Sequence, residues 1–591
     1  MASATSQFPL FRRCGDSARS EGGQVMNRID WDGGLAGTVH DRALARPNQI
    51  AMSFVDHSGG GDGRLEPLTY GDLDTRVRTL GNALRGTVAP GSRVAILCPT
   101  GPEYVTSFLA CLYSGVIAVP LFMPEAFRHG DRLALAIADA QCEAAITVKP
   151  AGRTPEELGL DDSLRLIHAD EFELDAAAPW KPLAPRDTTA YLQYTSGSTR
   201  HPAGVRVTHR NMEVAVDQLA SRFGITPASS LVSWLPFFHD MGLVYAITLP
   251  LAIGMPAVHM TPFAFVQQPR RWLDLISRHG ATHTVSPNFG LDLCVDRIPA
   301  DRRAGLDLSR LRCLTNGSEP VRARSLERFT EAYAPYGFRA AAHTPAYGLA
   351  EATLMVAGNG PDREPLVAAF DRAELGAGRV RRTAADDPDG HTMVGCGAAA
   401  WQDVWIVDPA TGQTLAPDRV GEIWVRGGNV CDGYWNDRER TGEVFGARLD
   451  GESGWLRTGD LGFFYGESLF ITGRLKDLII VDGRNHHPVD IESTVEDHSQ
   501  AVRSGHVVAF GIDTGAEEQV VIVAEVRPDT TGELDAQHAR LRRAVVSRHD
   551  VDVHDVVFVR RGTLPKTSSG KLRRGTCREM YRTGRLAARR V

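Results

Sequence analysis

The sequence has no Cys-x-x-Cys pair, no apolar run that could cross a bilayer, few aromatic residues and no strong excess of one charge. Each absence removes a class of protein. The nine cysteines (Cys14, Cys98, Cys111, Cys142, Cys294, Cys313, Cys396, Cys431 and Cys577) are scattered and odd in number. They form neither a zinc-binding pattern nor a disulfide framework, and a reducing cytoplasm is expected. The longest apolar region, 108–124, is broken by Ser114, Gly115 and Pro120. It falls short of the ~18 continuous apolar residues of a spanning helix, so no transmembrane segment is expected. Arg12-Arg13 is not followed by an apolar stretch, which excludes both export signals. A net charge of -7 favours solubility and gives no reason to expect a nucleic-acid partner. No repeat of solenoid length is visible.

What remains is a globular chain of 591 residues, too long for one core. Residues 1–25 read as a disordered extension. From 49 to 148 strands and helices alternate: strands at 93–98, 116–121 and 144–148, helices at 105–112 and 133–140. That βαβαβ order favours a parallel sheet covered by helices. The glycine tract at 58–63 opens no helix and reads as a plain loop. The alternation resumes with strands at 231–235, 256–260, 281–285 and 311–315 and helices at 241–251, 271–278 and 321–333. Two similar α/β subdomains are therefore expected in the first ~340 residues. Short strands near 401–408 and 420–427 indicate a small β-rich subdomain. Past Asp477 a compact α+β unit of about 110 residues follows, within ordinary domain size.

The chain is organised around Tyr194-Thr195-Ser196-Gly197-Ser198-Thr199-Arg200-His201-Pro202-Ala203-Gly204-Val205. A short strand, 189–193, precedes it. A helical pattern, 208–223, follows it with Thr208 as N-cap. Small residues let backbone N–H groups turn inward as an anion nest, to which the hydroxyls add donors. An ordinary surface turn has the same composition.

Further segments carry chemistry-bearing residues. Trp234-Leu-Pro-Phe237-Phe238-His239-Asp240-Met-Gly242 sets a His beside an Asp after a strand. Thr315-Asn316-Gly317-Ser318-Glu319-Pro320 and Ala346-Tyr347-Gly348-Leu349-Ala350-Glu351 each join a glycine to a carboxylate. Ligands of open α/β sheets bind at strand C-termini, and a glutamate near a phosphate nest suits Mg²⁺. Trp455-Leu-Arg-Thr458-Gly459-Asp460 places a carboxylate in a turn, where it could take ribose hydroxyls. Thr472-Gly473-Arg474-Leu475-Lys476-Asp477 stands at the shift between the large and small parts. Near the C-terminus, Leu564-Pro565-Lys566-Thr-Ser-Ser-Gly570-Lys571-Leu572 is not a Walker A loop. It has Pro565 where that motif needs glycine and Leu572 where it needs Ser or Thr. Taken singly, each of these residues has a bland reading as core, turn or solvated surface.

In this order the set resembles the adenylate-forming superfamily of acyl-CoA synthetases, luciferase-type enzymes and non-ribosomal adenylation domains. The resemblance runs from about residue 35 to 585. It implies an N-terminal adenylating domain, 26–475, and a small mobile C-terminal α+β domain, 476–591, hinged at Lys476. It also implies ATP and Mg²⁺ as cofactors and two half-reactions. A carboxylate attacks the α-phosphorus of ATP, and a thiol then attacks the acyl-adenylate. By resemblance the nest residues Thr195, Ser196, Gly197, Ser198, Thr199 and Arg200 hold phosphates. Ser318, Ala346, Tyr347 and Gly348 hold the nucleotide, with Tyr347 on adenine, and Asp460 and Arg474 hold the ribose. Glu351 and Thr195 serve the metal. Lys571, His239 and Arg200 are the catalytic residues.

Many superfamily members have glycine where this chain has Arg200 and lysine where it has Ala203. With Arg200 supplying that charge, Ser198 to Val205 is similar to the fatty acyl-AMP ligase branch. So are Val285-Ser-Pro-Asn288-Phe289, Gly348 to Thr353, Val481 to Pro488 and Pro565 to Lys571. A tract of about 356–392 resembles the insertion that marks that branch. The resemblance implies a fatty acid substrate and, as acceptor, the phosphopantetheine thiol of an acyl carrier protein or a polyketide or non-ribosomal peptide synthase module. Residues 539–591 carry fifteen Lys and Arg against four Asp and Glu. Such a field would speed the encounter with an acidic carrier. Trp234, Phe237, Phe238, Asn288 and Phe289 are expected near the acyl chain. His486-His487 lacks an evident third ligand for a metal. An acyl-CoA synthetase, or a silent adenylate-binding protein lacking the phosphate-side lysine, are the rival readings.

Overall fold

The structure, a computed structural model, describes residues 29–586 apart from 30, 124–129, 153, 183–184, 195–201, 482–483, 514–517, 529–533 and 568–570. The extension 1–25 and the loop residues Thr195 to His201 lie outside the described residues.

The expected βαβαβ run forms a six-stranded sheet in the spatial order Arg165–His168, Ala144–Thr147, Arg93–Ile96, Ile117–Pro120, Thr189–Tyr194, Gly204–Thr208. All neighbours are parallel except the last pair. Ile117–Pro120 and Ala144–Thr147 are buried at every residue. Burial on both faces is why these strands read as unbroken apolar runs rather than as alternation.

A nine-stranded sheet packs beside it. Its centre runs His343–Gly348, Cys313–Asn316, His283–Val285, Leu231–Ser233, Ala257–Met260, all parallel. One departure concerns the first hairpin, Ile50–Asp56 and Arg64–Thr69. It edges this second sheet, with Met52 opposite Ala257, and does not join the strands that follow it in sequence. The pairing spans some two hundred residues, and nothing in local periodicity encodes it. The two sheets share one apolar core, in which Tyr70, Phe108, Tyr191, Trp272 and Phe329 are fully buried.

The helix expected at 241–251 is present but changes pitch. Met241–Thr248 winds as a π-helix, and Leu249–Ile253 continues as α-helix. At the join, Leu249 N–H donates to the Val244 carbonyl five residues back. Pro250 has no N–H and would clash with the carbonyl four residues earlier, and widening the preceding turns relieves both problems.

The β-rich part is a five-stranded sheet of Asp403–Val407, Gly421–Arg426, Glu452–Tyr465, Ala447–Leu449 and Ser468–Arg474. The C-terminal unit has a three-stranded sheet of Val502–Asp513, Glu518–Val526 and Val553–Val559, covered by helices Pro488–His498 and Leu534–His549. Its core, including Ile491, Ile522, Leu541 and Phe558, is separate from the main one. The tract 356–392 is more ordered than a loop. It contributes to a two-stranded sheet, Val367–Asp371 with Gly390–Val394, and a short helix, Arg372–Gly376. Phe370 anchors it edge-on against Phe463 and Phe470. The architecture is α/β with a smaller α+β unit, as expected. No helix among the described residues is long and apolar enough to cross a membrane.

Candidate active site

The strands Thr189–Tyr194 and Gly204–Thr208 are antiparallel, with Tyr194 opposite Gly204. The two strands form a hairpin, and the second of them, unseen in the sequence reading, leads directly into the helix His209–Phe223. Val205 and Val207, both buried, were the available signal for that strand. Thr208 caps the helix as expected, in a reciprocal capping box with Asn211. Asn211 Nδ2 also donates to the carbonyls of Gly428 and Val430 at 2.9 and 3.0 Å, tying the hairpin to the β-rich part.

His239 and Asp240 follow the strand Leu231–Ser233. His239 Nδ1 stands 2.6 Å from Asp240 Oδ1. Burial raises the Asp240 carboxyl, but the His239 imidazole and the Lys571 ammonium outweigh it and hold the group at about 2. Gly242 is required here, because a Cβ would lie 2.0 Å from the Pro236 carbonyl oxygen. Lys571 comes from the far end of the chain. Its turn is fixed by Thr567 N–H donating to Lys571 O at 2.8 Å and Lys571 N–H donating to Thr567 Oγ1 at 3.0 Å. Burial lowers the Lys571 ammonium, while the carboxylates of Asp240, Glu319 and Asp460 attract it and the Arg474 guanidinium opposes it. The charge of a C-terminal lysine is thus coupled to groups from three N-terminal segments.

Asp460 was expected in a turn, and the structure corrects this. It lies within the strand Glu452–Tyr465, directly opposite Arg474 on Ser468–Arg474. The ladder shifts register beside it, and Gly459 takes a φ of 68°. Such a bulge bends the strand and re-aims the next side chain. Asp460 Oδ1 accepts from Arg474 Nε at 3.0 Å, and Oδ2 accepts from the Tyr347 hydroxyl at 2.7 Å. Burial and the Asp460 charge push the Tyr347 phenol well up, and Asp460 likewise raises Arg474.

Tyr347 and the half-buried Ala346 end the strand His343–Gly348. At Gly348 a Cβ would lie 1.7 Å from the Leu354 carbonyl oxygen, so only glycine permits this approach. Glu351 follows on a 3₁₀ turn, half-buried, and its Oε1 accepts from the Tyr434 hydroxyl at 2.8 Å. Tyr434 was missed in the sequence. It stands some eighty residues away, and its bridge to Val205 and the Cys431 N–H donating to the Glu351 carbonyl at 3.0 Å bring it here. Ser318 adopts a φ of 70° and directs its hydroxyl to Met241 Sδ at 3.2 Å.

The aromatic residues separate into two groups. Trp234 stacks on Phe265 at 4.1 Å and meets Phe289, which is 37% exposed, edge-on at 5.5 Å. Phe238, half-buried, lies against Phe122. Phe237 belongs to the core, among Phe54, Tyr104 and His259. Asn288 clamps the neighbouring loop, donating to the Pro320 carbonyl at 2.8 Å and accepting from Arg322 N–H at 3.2 Å. Lys476 is exposed on the turn Leu475–Asp477, beside the Asp477–Arg574 pair at 2.9 Å. His487 is pushed down to about 4 by burial. No group of three or more metal-ligating residues occurs among the described residues. A single site carboxylate such as Glu351, completed by phosphate oxygens, is nevertheless a donor set that Mg²⁺ accepts.

The profile of the AMP-binding enzyme family matches residues 39–435, and that of the Disco-interacting protein 2-like AMP domain matches 476–591. The chain is 39% identical to the 4-hydroxyphenylalkanoate adenylyltransferase of Mycobacterium marinum, over 96% of this chain and 94% of that protein. It is also 39% identical to the medium-chain-fatty-acid–[acyl-carrier-protein] ligase JamA of Moorena producens, over 91% and 93%. The crystal structure of a fatty acyl-adenylate ligase from L. pneumophila, with acyl adenylate and pyrophosphate, superimposes with a TM-score of 0.73. It is 33% identical and covers 93% of this chain and 96% of its own. The chain belongs to the fatty acyl-AMP ligase branch of the AMP-binding enzymes. The Asp460–Arg474–Tyr347 group and the Lys571 turn are among the sequence-predicted site residues that the structure describes.

Proposed function

We propose that this protein is a fatty acyl-AMP ligase that activates a fatty acid with ATP and passes the acyl group to a phosphopantetheine thiol on a carrier protein or synthase module. In the first half-reaction a fatty acid carboxylate oxygen bonds to the α-phosphorus of ATP, and the bond to the β,γ-diphosphate breaks, releasing pyrophosphate. In the second the thiol sulfur bonds to the acyl carbon, AMP leaves and the thiol proton passes to solvent. The observation that carries this reading is the buried Asp460 held between the Tyr347 hydroxyl and Arg474, with the Lys571 charge acting on Asp240 from the C-terminal unit.

The site's residues suit the chemistry. Reactions at phosphorus need positioning and charge neutralisation more than covalent help. Lys571 supplies a positive charge in a partly desolvated setting, where it is worth more than in water. Asp460 is held by Tyr347 and Arg474 yet keeps lone pairs for ribose hydroxyls. Ser318, Ala346, Tyr347 and Gly348 would border the nucleotide, and residues 195–200 would take the phosphates. Mg²⁺ would be held by Glu351, with Thr195 beside it, and would neutralise phosphate charge when bound. His239, set by Asp240, would orient the carboxylate. Trp234, Phe238, Asn288 and Phe289 would border the acyl chain. Between the half-reactions the unit 476–591 would turn about Lys476. A reducing cytoplasm fits the eight described cysteines, all unpaired.

Incubating the enzyme with ATP, Mg²⁺ and labelled fatty acid, with either CoA or holo carrier protein, tests the acceptor. Acylated carrier is expected, and efficient acyl-CoA formation would contradict the carrier assignment.

A further inference from the structure

The C-terminal unit holds a cavity of about 340 Å³ lined by Arg503, His506, Glu525, Arg561, Leu564 and Lys566. None of these residues has a role in the site described above. We propose that this cavity binds a phosphate group carrying two or more negative charges.

Glu525, the cavity's carboxylate, is already committed. It is fully buried, and its Oε1 accepts from the backbone N–H groups of Gly562 and Leu564 at 2.8 and 3.2 Å. Its Oε2 forms a close ion pair with Arg503 Nη1. This carboxylate therefore closes the 560–564 loop and neutralises one arginine.

The remaining partners leave positive charge over. Lys566 Nζ stands 2.9 Å from His506 Nε2. An ammonium can only donate, so Nε2 is the acceptor and the ring proton sits on Nδ1. That tautomer agrees with His506 Nδ1 lying 2.9 Å from the Ser504 carbonyl oxygen, which can only accept. The ring is neutral, and burial and the Lys566 charge push it down to about 4. Lys566 is thus paired with an uncharged group. Among the described residues no carboxylate forms an ion pair with Arg561 or Lys566, and Arg297 adds to the positive field at Arg503.

Glu525 and Glu319 attract Lys566 without forming an ion pair with it, and a cavity open to solvent with two such unpaired cations, Arg561 and Lys566, matches a phosphate dianion better than a carboxylate. Arginine and lysine together are the usual means of holding one. The volume lies in the range of small-molecule sites and admits a phosphate with a few attached atoms. The cavity also borders the active site, because Lys566 and Leu572 bridge the turn that presents Lys571, and Glu319 faces both lysines.

If the function proposed above holds, two sources offer such a group: pyrophosphate released in the first half-reaction, and a phosphate monoester on a thiol-bearing arm. Calorimetric titration of the full chain with inorganic pyrophosphate, inorganic phosphate and 4′-phosphopantetheine separates them. Arg561→Ala and Lys566→Gln are compared with the parent protein, and equal melting temperatures serve as the fold control. The expected result is a binding component that weakens about tenfold or more in both variants, with the affected probe naming the source. Any component that both variants retain belongs to the nucleotide site. Adenylate formation by Arg561→Ala is expected to match that of the parent. Identical isotherms for all three probes in all three proteins, or no binding at all, would overturn the proposal. Binding is read without turnover, so failure of adenylate formation would count against the function and not against this site.

Discussion

The Tyr347 hydroxyl donates to Asp460 Oδ2 at 2.7 Å across 113 residues of sequence, while Arg474 holds the other carboxylate oxygen. This contact ties the strand His343–Gly348 of the nine-stranded sheet to the β-rich sheet and fixes the orientation of the Asp460 carboxylate.

Replacing Asp460 by alanine should remove the proposed ribose contact and leave the buried Tyr347 hydroxyl without its carboxylate acceptor. We expect kcat/KM for ATP to fall about tenfold to a hundredfold and stability to drop by about 1–3 kcal/mol. Asparagine, which still accepts from Tyr347, should restore most of the stability and little of the ATP affinity. Steady-state kinetics and urea titration read the two effects separately.

Asp240 gives a pH signature. Folding lowers its carboxyl from 3.8 to about 2. A depressed acid contributes stability that is present above its unfolded value and is lost as pH falls through the folded one. The contribution should therefore be complete above about pH 5 and vanish toward pH 2, amounting to about 2 kcal/mol. Urea midpoints for wild type and Asp240→Asn should converge across that window, and parallel curves would exclude this origin.

Much of this was legible in the sequence, and what was not has a physical reason. The apolar runs at 93–98 and 144–148 identified buried strands because burial on both faces leaves no alternation to interpret. Thr208 identified a helix start because a cap acts within three residues. The partners of Asp460 were hidden, because a bulge at Gly459 carries the same composition as a turn. Tyr434 and the placement of Ile50–Asp56 depend on pairings far apart in the chain, to which periodicity is blind.

Tyr434→Phe tests the metal-binding role proposed for Glu351. The ring should keep its place against Arg440, 4.2 Å away, and Phe445. The hydrogen bond to Glu351 is lost, worth about 1 kcal/mol. The Mg²⁺ concentration for half-maximal activity should rise several-fold with an unchanged melting temperature.

Asp490 tests the contact between the tract 356–392 and the C-terminal unit. It forms a close ion pair with Arg372, and His391 Nδ1 stands 2.8 Å from its Oδ1. Burial opposes ionisation, but His391, Arg372 and His549 hold the carboxyl well below the usual range. Asp490→Ala leaves Arg372 buried without its counter-charge and should cost about 3 kcal/mol or more in urea unfolding. A change within about 0.5 kcal/mol, the scale of an ordinary surface substitution, would show that the pair contributes nothing net.

The most direct test of the central assignment is pyrophosphate release measured over a panel of fatty acids, with wild type and Lys571→Ala side by side. Release that depends on fatty acid, ATP and Mg²⁺, and falls about a hundredfold or more in a Lys571→Ala protein of unchanged melting temperature, is the result predicted here. No release at any chain length, or equal rates for the two proteins, would contradict it.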